Sequence, residues 1–312
     1  MQRRHFVRRL AIAAGVLVGG IGALAVADAD RGDDSGRPLF VRRLRPHATP
    51  SKNTSGVDDV QSTEAVTTVF LPGLGGTTDY WEYVLTAGTE APWHGNPLLV
   101  DLLGFGRSPK PWTTYTVARH VAELRRVLAR YPRLTLVGHS IGARLAIAYA
   151  AQFPEQIERL VLVSVPYFGG PDRARRFFGA KGASGWIWTH LVPIALTCLL
   201  SRRVLGWAFP MIIPSVPAAV AVGLTQMTWR SSTSTIWEVM YGHDLTADLR
   251  RVPTRVPFTC LHGARDQSAP LTGVQALRML HPNSTLVVQA EAGHQLPLRF
   301  PGWVREHAAR AS

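Results

Sequence analysis

Cysteine is almost missing from this chain. Only Cys198 and Cys260 occur in 312 residues, too few for a disulfide framework even outside the cytoplasm. Cys260 falls in an apolar run that reads as a buried strand, so free buried thiols are expected in place of a bridge. No Cys/His ligand spacing points to a structural metal, and no dinucleotide-binding glycine fingerprint follows a strand, so no cofactor is implied. Acidic side chains are also scarce, 21 against 34 Lys and Arg, which leaves a formal net charge of +13. Such an excess favours anionic surroundings. The arginines are scattered, however, and no aromatic-interleaved basic strip or recognition motif accompanies them, which argues against nucleic acid.

Long uninterrupted hydrophobic runs are scarce as well. The clean example is Leu10 to Ala27, preceded by Arg3-Arg4-His5-Phe6-Val7-Arg8-Arg9 and followed by Asp28 and the acidic stretch to Asp34. This is the layout of a bacterial export signal. The paired arginines before a Phe resemble a twin-arginine signal, and Ala25-Val26-Ala27 offers small residues for cleavage. The run is also long enough to span a bilayer. Residues 1–27 are therefore expected to act as an export signal or a membrane anchor, with the protein in the bacterial cell envelope or outside the cell. Residues 28–62, rich in Asp, Ser, Thr, Gly and Pro, read as a mostly disordered linker in which only Leu39-Phe40-Val41 offers a strand.

What the chain does have is a set of short apolar strands that end in glycine-rich or polar loops. Leu134-Thr135-Leu136-Val137 runs into Gly138-His139-Ser140-Ile141-Gly142, and a helical, Ala-rich stretch follows to Phe153. A chain turning sharply from strand to helix strains its central residue and crowds the positions two residues either side, which glycine relieves. Ser140 would then sit at a helix N-terminus, where unpaired N–H groups and the helix dipole stabilise a developing oxyanion. The five-residue pattern alone would arise by chance on the order of one time in ten in a chain this rich in glycine, so its context carries the weight.

Three further segments follow the same logic. Thr67-Thr68-Val69-Phe70-Leu71 reads as a buried strand entering Pro72-Gly73-Leu74-Gly75-Gly76, where glycines let backbone amides approach a ligand and Leu74 N–H is the candidate oxyanion donor. Pro257-Phe258-Thr259-Cys260-Leu261 ends in a turn carrying Asp266, and an Asp there is ordinarily a turn former. Its place between the serine and a later histidine raises a functional reading. Ser284-Thr285-Leu286-Val287-Val288 is followed by a loop carrying His294. Of the eleven histidines, His294 is the best base, because loops beyond strand ends are where a sheet presents reactive groups.

Gly73-Leu74-Gly75-Gly76, the stretch Asp101 to Ser108, Gly138 to Gly142, Gly263 to Asp266, and Gly293-His294 together resemble the α/β-hydrolase fold family, over Thr63 to about Trp303. The order Ser, Asp, His is that family's order. Pro72 stands where many members carry His, and Arg299 stands where an acidic residue often follows the catalytic His. The resemblance implies an α/β fold with a mostly parallel sheet and helices on both faces. It also implies Ser140 as nucleophile, His294 as general base, Asp266 as its orienting residue, and the N–H groups of Leu74 and Ile141 as the oxyanion hole.

The core is then expected over residues 63–166 and 253–312, with a largely helical lid inserted at 167–252, far longer than ordinary connections. The insertion starts basic, with Arg173, Arg175, Arg176 and Lys181, and turns apolar from Trp186 to Leu224. Pro193, Pro210, Pro214 and Pro217 together with Arg202 and Arg203 break it, so no clean span results. A lid of this kind suits a small-molecule substrate with an apolar acyl group, and it could rest at a lipid interface. The expected activity is hydrolysis of a lipophilic carboxylic ester through an acyl-enzyme. Cleavage of an amide, thioester or carbon–carbon bond, acyl transfer to an alcohol, and a non-catalytic lipid-binding or scaffold role remain open at the level of sequence.

Overall fold

A computed structural model of the protein describes residues 36–44, 66–88, 93, 96–182, 189–191, 193, 195–196, 218–223 and 225–310. The expected export signal, most of the linker, the apolar stretch around Trp207, and Cys198 lie outside the described residues. Among the described residues, no helix is long and apolar enough to cross a membrane.

Seven strands form one sheet: β1 (Val41–Arg43), β2 (Thr67–Leu71), β3 (Asn96–Val100), β4 (Leu134–His139), β5 (Ile157–Val163), β6 (Phe258–Gly263) and β7 (Ser284–Gln289). Their spatial order is β1-β3-β2-β4-β5-β6-β7, and only β1 runs antiparallel to its neighbour. The stretch Leu39-Phe40-Val41, embedded in the expected linker, thus contributes to an edge strand, shifted to begin at Val41. Asn96-Pro97 signals a turn, yet it opens β3, where Pro97 faces Thr68 of β2 in the ladder.

Helices α1 (Thr78–Thr86), α2 (Val117–Leu128), α3 (Ile141–Gln152), α4 (Pro171–Gly179), α5 (Ala218–Gly223), α6 (Trp229–Thr235), α7 (Leu245–Arg251), α8 (Leu271–Leu280), α9 (Leu296–Arg299) and α10 (Pro301–Arg310) connect or cover the strands. The strand period of two sorts the core into halves. Val69, Leu71, Leu98, Val100, Leu136, Leu160, Leu162 and Cys260 pack with α2, α3, α7 and α8. Phe70, Leu99, Val137, Val161, Val163 and Leu261 pack on the other face with α1, α9 and α10. Burial on both faces explains why these strands read as continuous apolar runs. Each fully buried Leu, Val or Phe contributes about 1.5–3 kcal/mol relative to exposure.

Local signals set the helix starts. Thr77 and Thr116 cap α1 and α2 by accepting from Asp79 N and Arg119 N, the ordinary remedy for unpaired first-turn amides. Asp101, at the start of the loop after β3, is fully buried and accepts from Thr78 N at 2.5 Å and Arg107 N at 2.7 Å. That loop is therefore a brace for α1.

After contributing the edge strand β1, the chain forms β2, builds β3 on one side of it, then crosses to β4 on the other. In such sheets the crevice beyond the carboxyl ends of the two strands at the reversal receives ligands. Here the segments leaving those strands are Pro72–Gly76 and Ser140.

Candidate active site

The segment leaving β4 turns at Ser140, which adopts φ 53° and ψ −116° although it is not glycine. Such a conformation costs on the order of 1–3 kcal/mol and persists only where its surroundings enforce it. The surroundings are explicit: Ser140 N donates to Val163 O at 2.9 Å, and Ser140 O accepts from Ala143 N at 3.0 Å. A Cβ on Gly138 would lie 2.6 Å from the Ala143 backbone, and one on Gly142 would collide with the carbonyl oxygens of Leu71 and Pro72. The two glycines flanking the serine are therefore required by close backbone approach, as the sequence pattern implied.

The loops after β6 and β7 are laced together by Ala264 N to Gln289 O at 3.0 Å and Arg265 N to Ala292 O at 2.9 Å. This lacing brings Asp266 beside His294. His294 Nδ1 lies 2.9 Å and 3.1 Å from the two Asp266 carboxylate oxygens, and His294 Nε2 lies 2.9 Å from Ser140 Oγ. A carboxylate only accepts, so Nδ1 carries the proton and Nε2 is left to accept from the serine hydroxyl. Asp266 also accepts from Ser268 N and Ala269 N, both at 2.8 Å. Burial opposes its charge, but the His294 contact, the Ala269 amide and His262 outweigh it and hold the carboxyl below its usual range. Ser140, Asp266 and His294, from three separate strand ends, thus converge into one hydrogen-bonded chain.

Ile141 is the first residue of α3, so its N–H is among those a helix leaves without an internal partner. Ile141 and Leu74 both border the cavity onto which Ser140 opens. That cavity has a volume of about 440 Å³ and is walled mainly by apolar side chains: Phe178 from α4, Val220 from α5, Leu298 from α9, and Ile236, Met240 and Tyr241. The last three belong to Ile236–Tyr241, a π-helical continuation of α6 whose wider turn is closed by Gly242 N to Trp237 O at 2.8 Å. Such wide turns recur at functional sites because they re-aim side chains.

Of the insertion expected as a lid, the structure describes residues 167–182, 189–191, 193, 195–196, 218–223 and 225–252. Its later part is fastened to the body: Val239, Leu245, Leu249 and Val252 join the main core, Tyr115 N donates to Ser234 Oγ at 2.8 Å, and Arg144 donates to the carbonyls of Val239, Pro166 and His243. The reason is a hydroxyl-rich helix, Trp229–Thr235, that buries Ser231, Ser232, Thr233 and Thr235 against the core. In sequence such a segment looks solvent-exposed. The pocket residues Ile236, Met240 and Tyr241 had no distinguishing signal for the same reason. Tyr80 and His139 also border the cavity, and only His139 stood within a motif. Among the described residues, no cluster of His, Cys, Asp and Glu is arranged to hold a metal.

Comparison with known proteins agrees with this fold. A family model described as alpha/beta hydrolase fold matches residues 68–184. An uncharacterized protein of Mycobacterium tuberculosis is 26% identical over 219 residues, 62% of this chain and 60% of that protein. "Probable lysophospholipase BODYGUARD 3" of Arabidopsis thaliana is 31% identical over 171 residues, 52% of this chain and 31% of that protein. The matched region thus spans about three fifths or less of the length of these relatives. Among solved structures, an esterase from Exiguobacterium antarcticum superposes with a TM-score of 0.63 at 17% identity, over 88% of this chain and 94% of that one. A deformylase from Pseudomonas putida does so with a TM-score of 0.63 at 22% identity, over 80% and 92%.

Proposed function

Because this chain has the α/β-hydrolase fold, we propose that it is a serine hydrolase cleaving a lipophilic carboxylic ester through an acyl-enzyme on Ser140. The observation that carries the reading is the Ser140–His294–Asp266 hydrogen-bonded chain opening onto an apolar cavity. His294 Nε2 takes the Ser140 proton as Oγ attacks the ester carbonyl, and Asp266 holds the tautomer and stabilises the imidazolium that forms. The N–H groups of Leu74 and Ile141 hold the oxyanion. His294 then returns the proton to the leaving alcohol, and water activated by His294 releases the acid. The wall of Phe178, Val220, Ile236 and Met240 receives the acyl chain, since apolar lining favours alkyl over polar substituents. A carboxylic ester is chosen over other acyl bonds on the lysophospholipase name of one relative, while the apolar lining supports a lipophilic acyl group on either side of that choice.

In the same reading the enzyme works outside the cytoplasm or tethered to its membrane. The arginine-rich start, the apolar run Leu10 to Ala27 and the linker behind it support this. Association of the insertion with anionic lipid is part of the proposal, supported by the exposed Arg173, Arg175 and Arg176 on α4 beside the cavity residue Phe178.

The test is fluorophosphonate labelling of protein without residues 1–27, the modified residue being mapped by mass spectrometry. Label on Ser140 that is lost in Ser140→Ala and His294→Ala is the expected result, followed by ester hydrolysis that improves with acyl length. An unlabelled protein that also hydrolyses no ester would overturn the assignment.

A further inference from the structure

His139 is buried, with 3% of its surface exposed, and sits one residue before the serine. Its ring touches three parts of the site that are far apart in sequence. His139 Nε2 lies 2.9 Å from the backbone carbonyl oxygen of His294. Its Nδ1 lies 3.3 Å from the hydroxyl of Tyr80, whose ring stacks on it at 17° between planes. The oxyanion loop presses on the same ring, since a Cβ on Gly73 would be 2.9 Å from Nδ1. A carbonyl oxygen only accepts, so Nε2 carries a proton and donates it. Burial, with His294 adding to it, lowers His139 to about 3, so the ring is neutral and Nδ1 must accept from Tyr80. Burial also raises the Tyr80 hydroxyl well above its usual range and keeps it a donor.

We infer that His139 is a positioning residue that fixes the backbone of His294 and buttresses the oxyanion loop, so that base, nucleophile and oxyanion donors hold one relative geometry. The physical need is clear. Asp266 orients the His294 ring through Nδ1, but it does not hold the backbone from which the ring hangs. The loop after β7 reaches the elbow only across the sheet end, and the Nε2 bond to His294 O spans that gap between residues 155 apart in sequence. Tyr80 makes the bond directional by selecting the tautomer whose proton is on Nε2. A displacement of about 1 Å at a reacting group costs on the order of 10²-fold in rate.

This inference rests on the triad reading given above. Its test uses the two amide replacements, which differ in reach: a glutamine amide extends to the place of Nε2, an asparagine amide only to that of Nδ1. His139→Gln should retain kcat within about tenfold, whereas His139→Asn and His139→Leu should lose on the order of 10²-fold in kcat with KM nearly unchanged. Tyr80→Phe should fall between them. Hydrogen exchange of the 292–296 amides, which needs no activity, should be faster in the Asn and Leu variants than in wild type and Gln, on the order of tenfold for one lost hydrogen bond. The Gln and Asn variants are similar in polarity, so their difference stands even where Leu fails to fold. Equal kcat and equal exchange in Gln and Asn would overturn the inference. A wild-type protein in which Ser140 resists fluorophosphonate while exchange still follows this pattern would remove the triad reading and leave the tether standing.

Discussion

The strand-end loops and the insertion between β5 and β6 solve different problems with different materials. The loops hold Ser140, Asp266 and His294 by backbone constraints: a strained φ at Ser140, glycines where a Cβ would strike a carbonyl oxygen, and main-chain bonds that lace one loop to the next. The insertion builds a cavity wall from side chains, held to the body by buried hydroxyls, Arg144 and His120, whose Nε2 lies 3.3 Å from Thr235 Oγ1. Backbone constraints tolerate almost no substitution, while a side-chain wall can be remodelled without moving the reacting atoms. In the proposed mechanism, reactivity therefore belongs to the loops and selectivity to the insertion.

That division can be broken at either end. Asp266→Asn should cost about 10⁴-fold in kcat, because the amide no longer holds the His294 tautomer; steady-state ester hydrolysis reads it, and a loss under tenfold would contradict the role of Asp266. Gly142→Ala forces its Cβ against Leu71 O and Pro72 O and displaces the oxyanion loop. Turnover should drop on the order of 10²-fold, with a lower urea midpoint reflecting about 1–3 kcal/mol of overpacking.

At the insertion, Met240→Ala should enlarge the acyl pocket and shift preference toward longer or bulkier acyl groups by roughly tenfold in kcat/KM ratio. Fluorophosphonate labelling of Ser140 should stay at its wild-type rate, which sharpens the contrast with the loop variants.

The smallest effect joins both regions. Burial lowers His139 in the loops to about 3 and His120 under the insertion to about 4, against about 6.5 in an unfolded chain. The unfolded state binds more protons between those values, so stability is full above about pH 6.5 and declines as pH falls toward 4. Urea midpoints measured from pH 7 to 4 should therefore decrease, and His120→Gln should flatten part of the slope. A midpoint independent of pH would mean that neither ring is buried in its neutral form.

Much of the reactive half was legible in the chain, since its physics is local. An apolar run, a glycine pair two residues either side of a serine, and a polar loop after each strand each report a constraint met within a few residues. The edge strand was visible only as Leu39-Phe40-Val41, and β3 was masked by its Asn-Pro start. The later insertion is the harder part: Ser231, Ser232, Thr233 and Thr235 look like an exposed polar stretch but are buried, with Ser231 in a capping box with Thr228, Thr233 donating to Trp229 O, and Thr235 beside His120 of α2. The partner of Thr235 is 115 positions away.

The sequence by itself determined the parallel α/β layering, the serine at a strand-to-helix turn, and the order in which serine, acid and histidine arrive at the sheet's edge, since periodicity and close-packed glycines are properties of short segments. The tertiary structure decided which side chains wall the cavity, that His139 meets the backbone carbonyl of His294, and that Val239, Leu245, Leu249 and Val252 of the insertion join the main core. Those outcomes depend on pairings between distant segments, and only the assembled sheet brings their partners within hydrogen-bonding reach.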